Sequence, residues 1–140
     1  MEITVYSKSQ PRREFIQAAL NFYAQELGLE RSRYRLQVFS RQGLVAQGSR
    51  GELCKLGPRS LVMFVDNRLG MNDLLVTLAH EMIHAKQYAR GQLRSTYSRS
   101  GNAVHYWNGR RVRAEYYDRP WEQEAFARER LLANRVFQMI

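Results

Sequence analysis

The stretch 74–88, LLVTLAHEMIHAKQY, constrains the fold of this chain more than any other. At about 100° per residue, Leu74, Leu75, Val76, Leu78, Ala79, Met82, Ile83, Ala85 and the following Ala89 cover most of a helical circumference, and neither Gly nor Pro interrupts them. A helix that is apolar nearly all round has to be central, with the rest of the chain wrapped over it. Set into this surface are His80, Glu81 and His84, polar groups that are costly to bury unless they are paired or bound to a metal.

The 140 residues suffice for one domain with a real core and are too few for two ordinary ones, so a single domain over 1–140 is expected. EITVY (2–6) alternates like a short strand. A helix follows from Pro11, with Phe15, Ile16, Ala19, Leu20, Phe22, Tyr23 and Leu27 on its apolar face and Gly28 as its stop. Segments 33–40, 43–53 and 59–66 read as strands, the last apolar enough to be central in a small antiparallel or mixed sheet. Asn72 or Asp73 is placed to cap the central helix, which spans about 72–90. Residues 92–109, rich in Ser, Gly and Asn, read as a loop leading into a hairpin arm through RRVRAEYYD. Asp118 or Arg119 caps a last helix from Pro120 to the end, with its body over about 119–138. The fold class expected is α+β.

Two histidines four residues apart on a helix project from one face and can reach one metal ion. Only three histidines occur, and two are in this pattern. Glu81 lies about 100° round from His80, where it can take a proton from water without being a ligand. His80 and His84 are thus candidate ligands for Zn2+ and Glu81 a candidate general base.

A catalytic zinc takes a third protein ligand, for which His105, Glu115, Asp118, Glu122, Glu124 and Glu129 are available. On the last helix Trp121, Ala125, Phe126, Leu132, Ala133, Val136, Phe137 and Ile140 form one apolar arc that contains Glu122 and Glu129. Glu124 falls outside it, four residues before Arg128. An inward carboxylate calls for a cation, so Glu122 is the preferred third ligand, with pairing to a buried arginine as the alternative. Glu129, two turns along, is suited to accept a hydrogen bond from a ligand histidine.

HEMIHAKQY followed by PWEQEAF resembles the gluzincin metallopeptidases, especially their small single-domain forms and the HExxH peptidases of phage and bacterial genomes. In that group a second helix carries an E-x-x-A signature whose glutamate is the third zinc ligand, and Glu122-Gln123-Glu124-Ala125 matches it. Many gluzincins have an acidic residue after that alanine, where this chain has Phe126. The resemblance covers 78–91 and 116–127 and implies a compact zincin-like fold, zinc-dependent hydrolysis of a peptide or protein substrate, and an edge strand that pairs with the peptide backbone. It also implies self-inhibition in some members by a terminal segment or loop lying in the cleft. HEMIHA resembles the DNA-associated SprT and Spartan proteases as well; there a third histidine replaces the glutamate, and His105 would be that ligand, although it sits in AVHYWNG without the glycine-histidine sequence of that group. A non-catalytic interaction domain with a structural zinc is the third reading, and it would have no use for Glu81.

The formal net charge is +9, with 19 Arg against 3 Lys. Such a surface attracts polyanions. The arginines are nevertheless scattered, RSRYR (31–35) and RRVR (110–113) being the dense clusters, so ordinary solvated surface is preferred over nucleic-acid binding. Cys54 is alone, which fits a reducing cytoplasm, and it reads as a small buried hydrophobe. No signal peptide or membrane-length apolar run is visible, so a soluble protein without a membrane partner is expected. Tyr116 and Tyr117 read as hairpin aromatics, or as hydroxyl donors to a reacting oxyanion. Trp107 and His105 either line the cleft or cover the core.

Overall fold

The computed structural model describes residues 1–139; Ile140, assigned above to the apolar arc of the last helix, lies outside them. The architecture is α+β. Strand β1 (Glu2–Tyr6) leads through helix α1 (Gln10–Glu26) to the parallel strand β2 (Arg35–Arg41), and β3 (Gly51–Gly57) turns into β4 (Ser60–Asp66). The sheet order is β1-β2-β4-β3, parallel except for β3, which runs antiparallel along one edge. The apolar run 59–66 does form the interior strand β4.

Ser9 caps α1 by accepting from the Arg12 N–H, and Gly28, at φ 71°, turns the chain out of it so that the Leu29 N–H reaches the Ala24 carbonyl at 2.7 Å. Ile16, Ala19, Leu20 and Tyr23 of α1 and most of α2 (Met71–Ala89) are buried against Val5, Leu36, Val38, Leu61, Met63 and Val65, all on one face of the sheet. Tyr23, fully buried, donates its hydroxyl to the Leu75 carbonyl and ties α1 to α2. Helix α3 (Pro120–Phe137) packs on the other side of α2 through Trp121, Ala125, Leu132, Ala133 and Val136. The central helix is therefore buried over most of its length, from Leu74 to Gln87 apart from Val76, as its apolar circumference requires. No helix among the described residues is long and apolar enough to cross a membrane.

Three local expectations are corrected, and one, the cap of α3, holds at Arg119 without a side-chain bond. Segment 43–53 is not one strand: Asp66, itself buried, accepts from the Val45 and Arg68 N–H groups, Leu44 turns inward, and Gly48 reverses the chain at φ 83°, which delays the strand to Gly51. Asn72 and Asp73 lie inside α2, whose N-cap is Gly70, because burial of Leu69 draws the helix start toward the core. The cap position of α3 is Arg119, and Asp118 ends a short 3-10 turn over Tyr116–Asp118; neither caps with its side chain. Most of 92–109 is paired strand, β5 (Leu93–Tyr97) and β6 (Ala103–Trp107), joined to β7 (Arg110–Val112) in a three-stranded antiparallel sheet. The tight Asn108-Gly109 turn, both residues at positive φ, sets the β6–β7 hairpin.

Candidate metal centre

Helix α2 presents His80 and His84 one turn apart, and α3 crosses it so that Glu122 faces both. The Glu122 Oε1 lies 3.0 Å from the His80 Nε2 and 3.0 Å from the His84 Nε2, and the two nitrogens are 3.2 Å apart. All three residues are buried, and their ligand atoms form a group able to hold a metal ion. Tetrahedral coordination at about 2.0–2.2 Å sets ligand atoms about 3.3–3.6 Å apart, so an outward movement of a few tenths of an ångström would admit a metal. The two-imidazole, one-carboxylate donor set suits a divalent transition metal and leaves a fourth position for water.

The outer ring nitrogens are also engaged. His80 Nδ1 is 2.8 Å from Glu129 Oε2, and His84 Nδ1 is 2.8 Å from Gln87 Oε1. Donation from each Nδ1–H to these oxygens fixes the tautomer that leaves Nε2 bare toward the centre. Gln87, fully buried, donates through Nε2 to the Trp121 carbonyl at 3.0 Å and to Glu124 at 2.8 Å, so its own orientation is set from α3. Glu124 meets Arg128 only at 3.8 Å; its close partner is the buried Lys86, at 2.8 Å. The i,i+4 pairing expected for Glu124 is thus secondary to a pairing across the helices. Gln87 and Lys86 escaped notice in the sequence, although a glutamine three residues after a candidate ligand on an otherwise apolar helix is the available signal.

Burial opposes charge on all these groups, and their mutual contacts overcome it. Burial lowers the His80 pKa, but the Glu122 contact, the charge of Glu81 and the Glu129 contact raise it to about 9. His84 moves the same way, burial again being outweighed by Glu122 and Glu81. Glu122, which burial would raise, is held at about 2 by the two imidazoles. The raised histidines and the lowered Glu122 together mark a pocket that stabilises positive charge.

Glu81 lines a cavity of about 380 Å³ together with His80, Thr77, Tyr116, Tyr117 and Phe126. Burial keeps its carboxyl above the ordinary range, and the neighbouring histidines pull it back only in part. The edge strand β3 forms one rim. A Cβ placed on Gly51 would stand 2.8 Å from the Thr77 Cγ2, 3.0 Å from the Phe64 carbonyl oxygen and 3.6 Å from the Glu81 Cγ, so a glycine is what lets the strand approach the helix. Tyr116 faces the cavity from the other side; burial and the nearby charge of Glu122 push its phenol up, and it remains a donor.

The structure leaves the other candidates outside this group. His105 is on β6, 2.8 Å from the Ser95 Oγ through Nδ1 and tilted against the Trp121 ring at 5.3 Å. Trp107 packs on the same ring at 6.3 Å, so both cover Trp121. Glu115 and Asp118 are exposed. Cys54 is exposed on β3, not buried, because it falls on the edge strand of the sheet. In comparisons with protein families, with curated proteins and with solved structures, nothing matches this chain.

Proposed function

We propose that this protein is a zinc-dependent metallopeptidase of gluzincin type with a compact zincin-like fold, in which His80, His84 and Glu122 hold the metal. The observation that carries the reading is the meeting of the two Nε2 atoms and one carboxylate oxygen within 3.0–3.2 Å, with both outer ring nitrogens already committed to acceptors. A zinc ion bound there supplies Lewis acidity, lowering the pKa of a water and polarising a carbonyl. The chain supplies the rest. Glu81, a carboxylate that burial holds above the ordinary range, accepts a proton in the cavity and returns it to the leaving amine. Tyr116 donates its hydroxyl to the oxygen of the attacked carbonyl. The free edge of β3 offers backbone N–H and C=O groups to an extended peptide, which would lie along the rim beside Glu81.

The test is zinc per chain, measured by elemental mass spectrometry on the native protein, Glu122→Ala and His105→Ala. About one zinc in the native protein and in His105→Ala, with loss in Glu122→Ala, is the expected result. A native chain that holds no divalent metal would sink the proposal, and loss with His105→Ala alone would move the third ligand to β6.

A further inference from the structure

The two imidazoles of the candidate metal centre lean on acceptors of different kinds. His80 Nδ1 meets Glu129, a carboxylate that accepts whichever way it turns. His84 Nδ1 meets the side-chain amide of Gln87 at 2.8 Å, and an amide has one accepting end and one donating end. If the Gln87 amide were reversed, its NH2 would face this ring nitrogen, which would then have to keep a lone pair. The His84 proton would move to Nε2, the atom 3.0 Å from Glu122, and an N–H there offers no lone pair to a metal. The direction of one amide therefore decides whether a neutral His84 can be a ligand.

That direction is held by a chain of contacts outside the three candidate ligands. Gln87 is fully buried and donates its two N–H groups to the Trp121 carbonyl at 3.0 Å and to Glu124 Oε1 at 2.8 Å. Both partners are acceptors, so a reversed amide would set its oxygen against two oxygens and leave them unpaired. The Trp121 carbonyl is fixed by the backbone of α3. Glu124 is free to move: its side chain is 26% exposed, and Arg128, at the surface, lies 3.8 Å from its other carboxylate oxygen and offers it an outward position. Lys86 draws it the other way. The Lys86 ammonium is 3% exposed and lies 2.8 Å from the same Oε1 that accepts from Gln87. Apolar side chains could join α2 to α3 without the cost of burying an ammonium, so helix packing alone does not account for this cation.

We propose that Lys86 and Glu124 are positioning residues for the metal: the ammonium pins the carboxylate, the carboxylate pins the amide, and the amide keeps the His84 Nε2 lone pair free. The inference rests on the proposed metal site and adds to it a requirement outside the ligand set.

The experiment compares the native chain with Lys86→Met and with the double variant Lys86→Met, Glu124→Leu. The first removes the ammonium, keeps an apolar stem and lets Glu124 turn to Arg128 and water. The second replaces the pair by apolar side chains that still fill the helix contact. Zinc affinity is measured by chelator competition, and hydrogen exchange of the histidine Nδ1–H groups is followed by NMR in the zinc-loaded, 15N-histidine-labelled chain. Both variants should bind zinc about 10- to 100-fold more weakly, with faster exchange at His84 and unchanged exchange at His80. Adding Gln87→Glu with Glu124→Gln to Lys86→Met places an acceptor beside His84 in either orientation and should restore both readouts. A role confined to stability predicts a shifted urea midpoint with native zinc affinity and native exchange at His84, and that result would overturn the proposal. Equal loss of protection at His80 and His84 would do the same, since it would report a general loosening of the site. A native chain that takes up no zinc would remove the metal reading, and this inference with it, before any variant is made.

Discussion

The two faces of the four-stranded sheet treat their unusual residues in opposite ways. Beneath the sheet, between α2 and α3, the polar groups other than Glu81 are paired: His80 has Glu122 and Glu129, His84 has Glu122 and Gln87, and Lys86 has Glu124. On the open face the rings of Tyr6, Phe39 and Phe64 and the guanidinium of Arg41 meet mainly each other and solvent. The difference follows from what burial costs. A polar group withdrawn from water has to be paired within the fold, so a buried site is recorded in its hydrogen bonds. An aromatic ring at the surface carries no such obligation.

The contrast is sharpest at Glu81, to which the proposed function gives chemical and not structural work. Glu81→Gln should leave zinc content unchanged and reduce cleavage of an internally quenched peptide by about 10²- to 10⁴-fold; a variant that retains full hydrolysis would remove the base from the mechanism. Next comes the pair that locks α3 to α2. Glu124→Ala leaves the buried Lys86 ammonium alone and should cost about 3 kcal/mol in urea unfolding, and a loss under 1 kcal/mol would show that Lys86 finds water instead. Glu129→Ala and Gln87→Ala each free one ring nitrogen, and chelator competition should show zinc affinity about 10- to 100-fold weaker without loss of the site. An effect of similar size is expected at the rim. Gly51→Ala forces a methyl group against Thr77 and should destabilise the fold by about 1–3 kcal/mol, with a matching drop in melting temperature. Open-face substitutions such as Tyr6→Ala should change none of these readouts.

How legible each region was in the amino-acid sequence follows the same division. Helix α2 was readable because its apolar residues enclose it, and the placement of Glu122 beside the histidines was readable because that carboxylate falls inside the apolar arc of α3. The same reasoning placed Glu129 near a ligand histidine and set Glu124 outside the arc, but it overlooked Lys86 and Gln87, because a partner across two helices has no fixed sequence spacing. Strands β5 and β6 were hidden by the Ser, Gly and Asn of their connection, since an exposed three-stranded sheet with little burial lacks the hydrophobic alternation that announces a strand. The strand start at Gly51 was masked by Asp66, whose carboxylate holds a loop from 21 residues further along. The aromatic row was invisible for a simpler reason: Tyr6, Phe39 and Phe64 come from three separate strands and become neighbours only through parallel register.

The order of the candidate ligands along the chain gives the site a history within each molecule. His84 and Glu122 are 38 residues apart, and Glu129 and His80 are 49 apart. At about 5–20 residues per second, synthesis brings out the two histidines and Glu81 roughly 2–8 seconds before the carboxylate that unites them. Throughout that interval the growing chain carries both histidines without the carboxylate that draws them into one group.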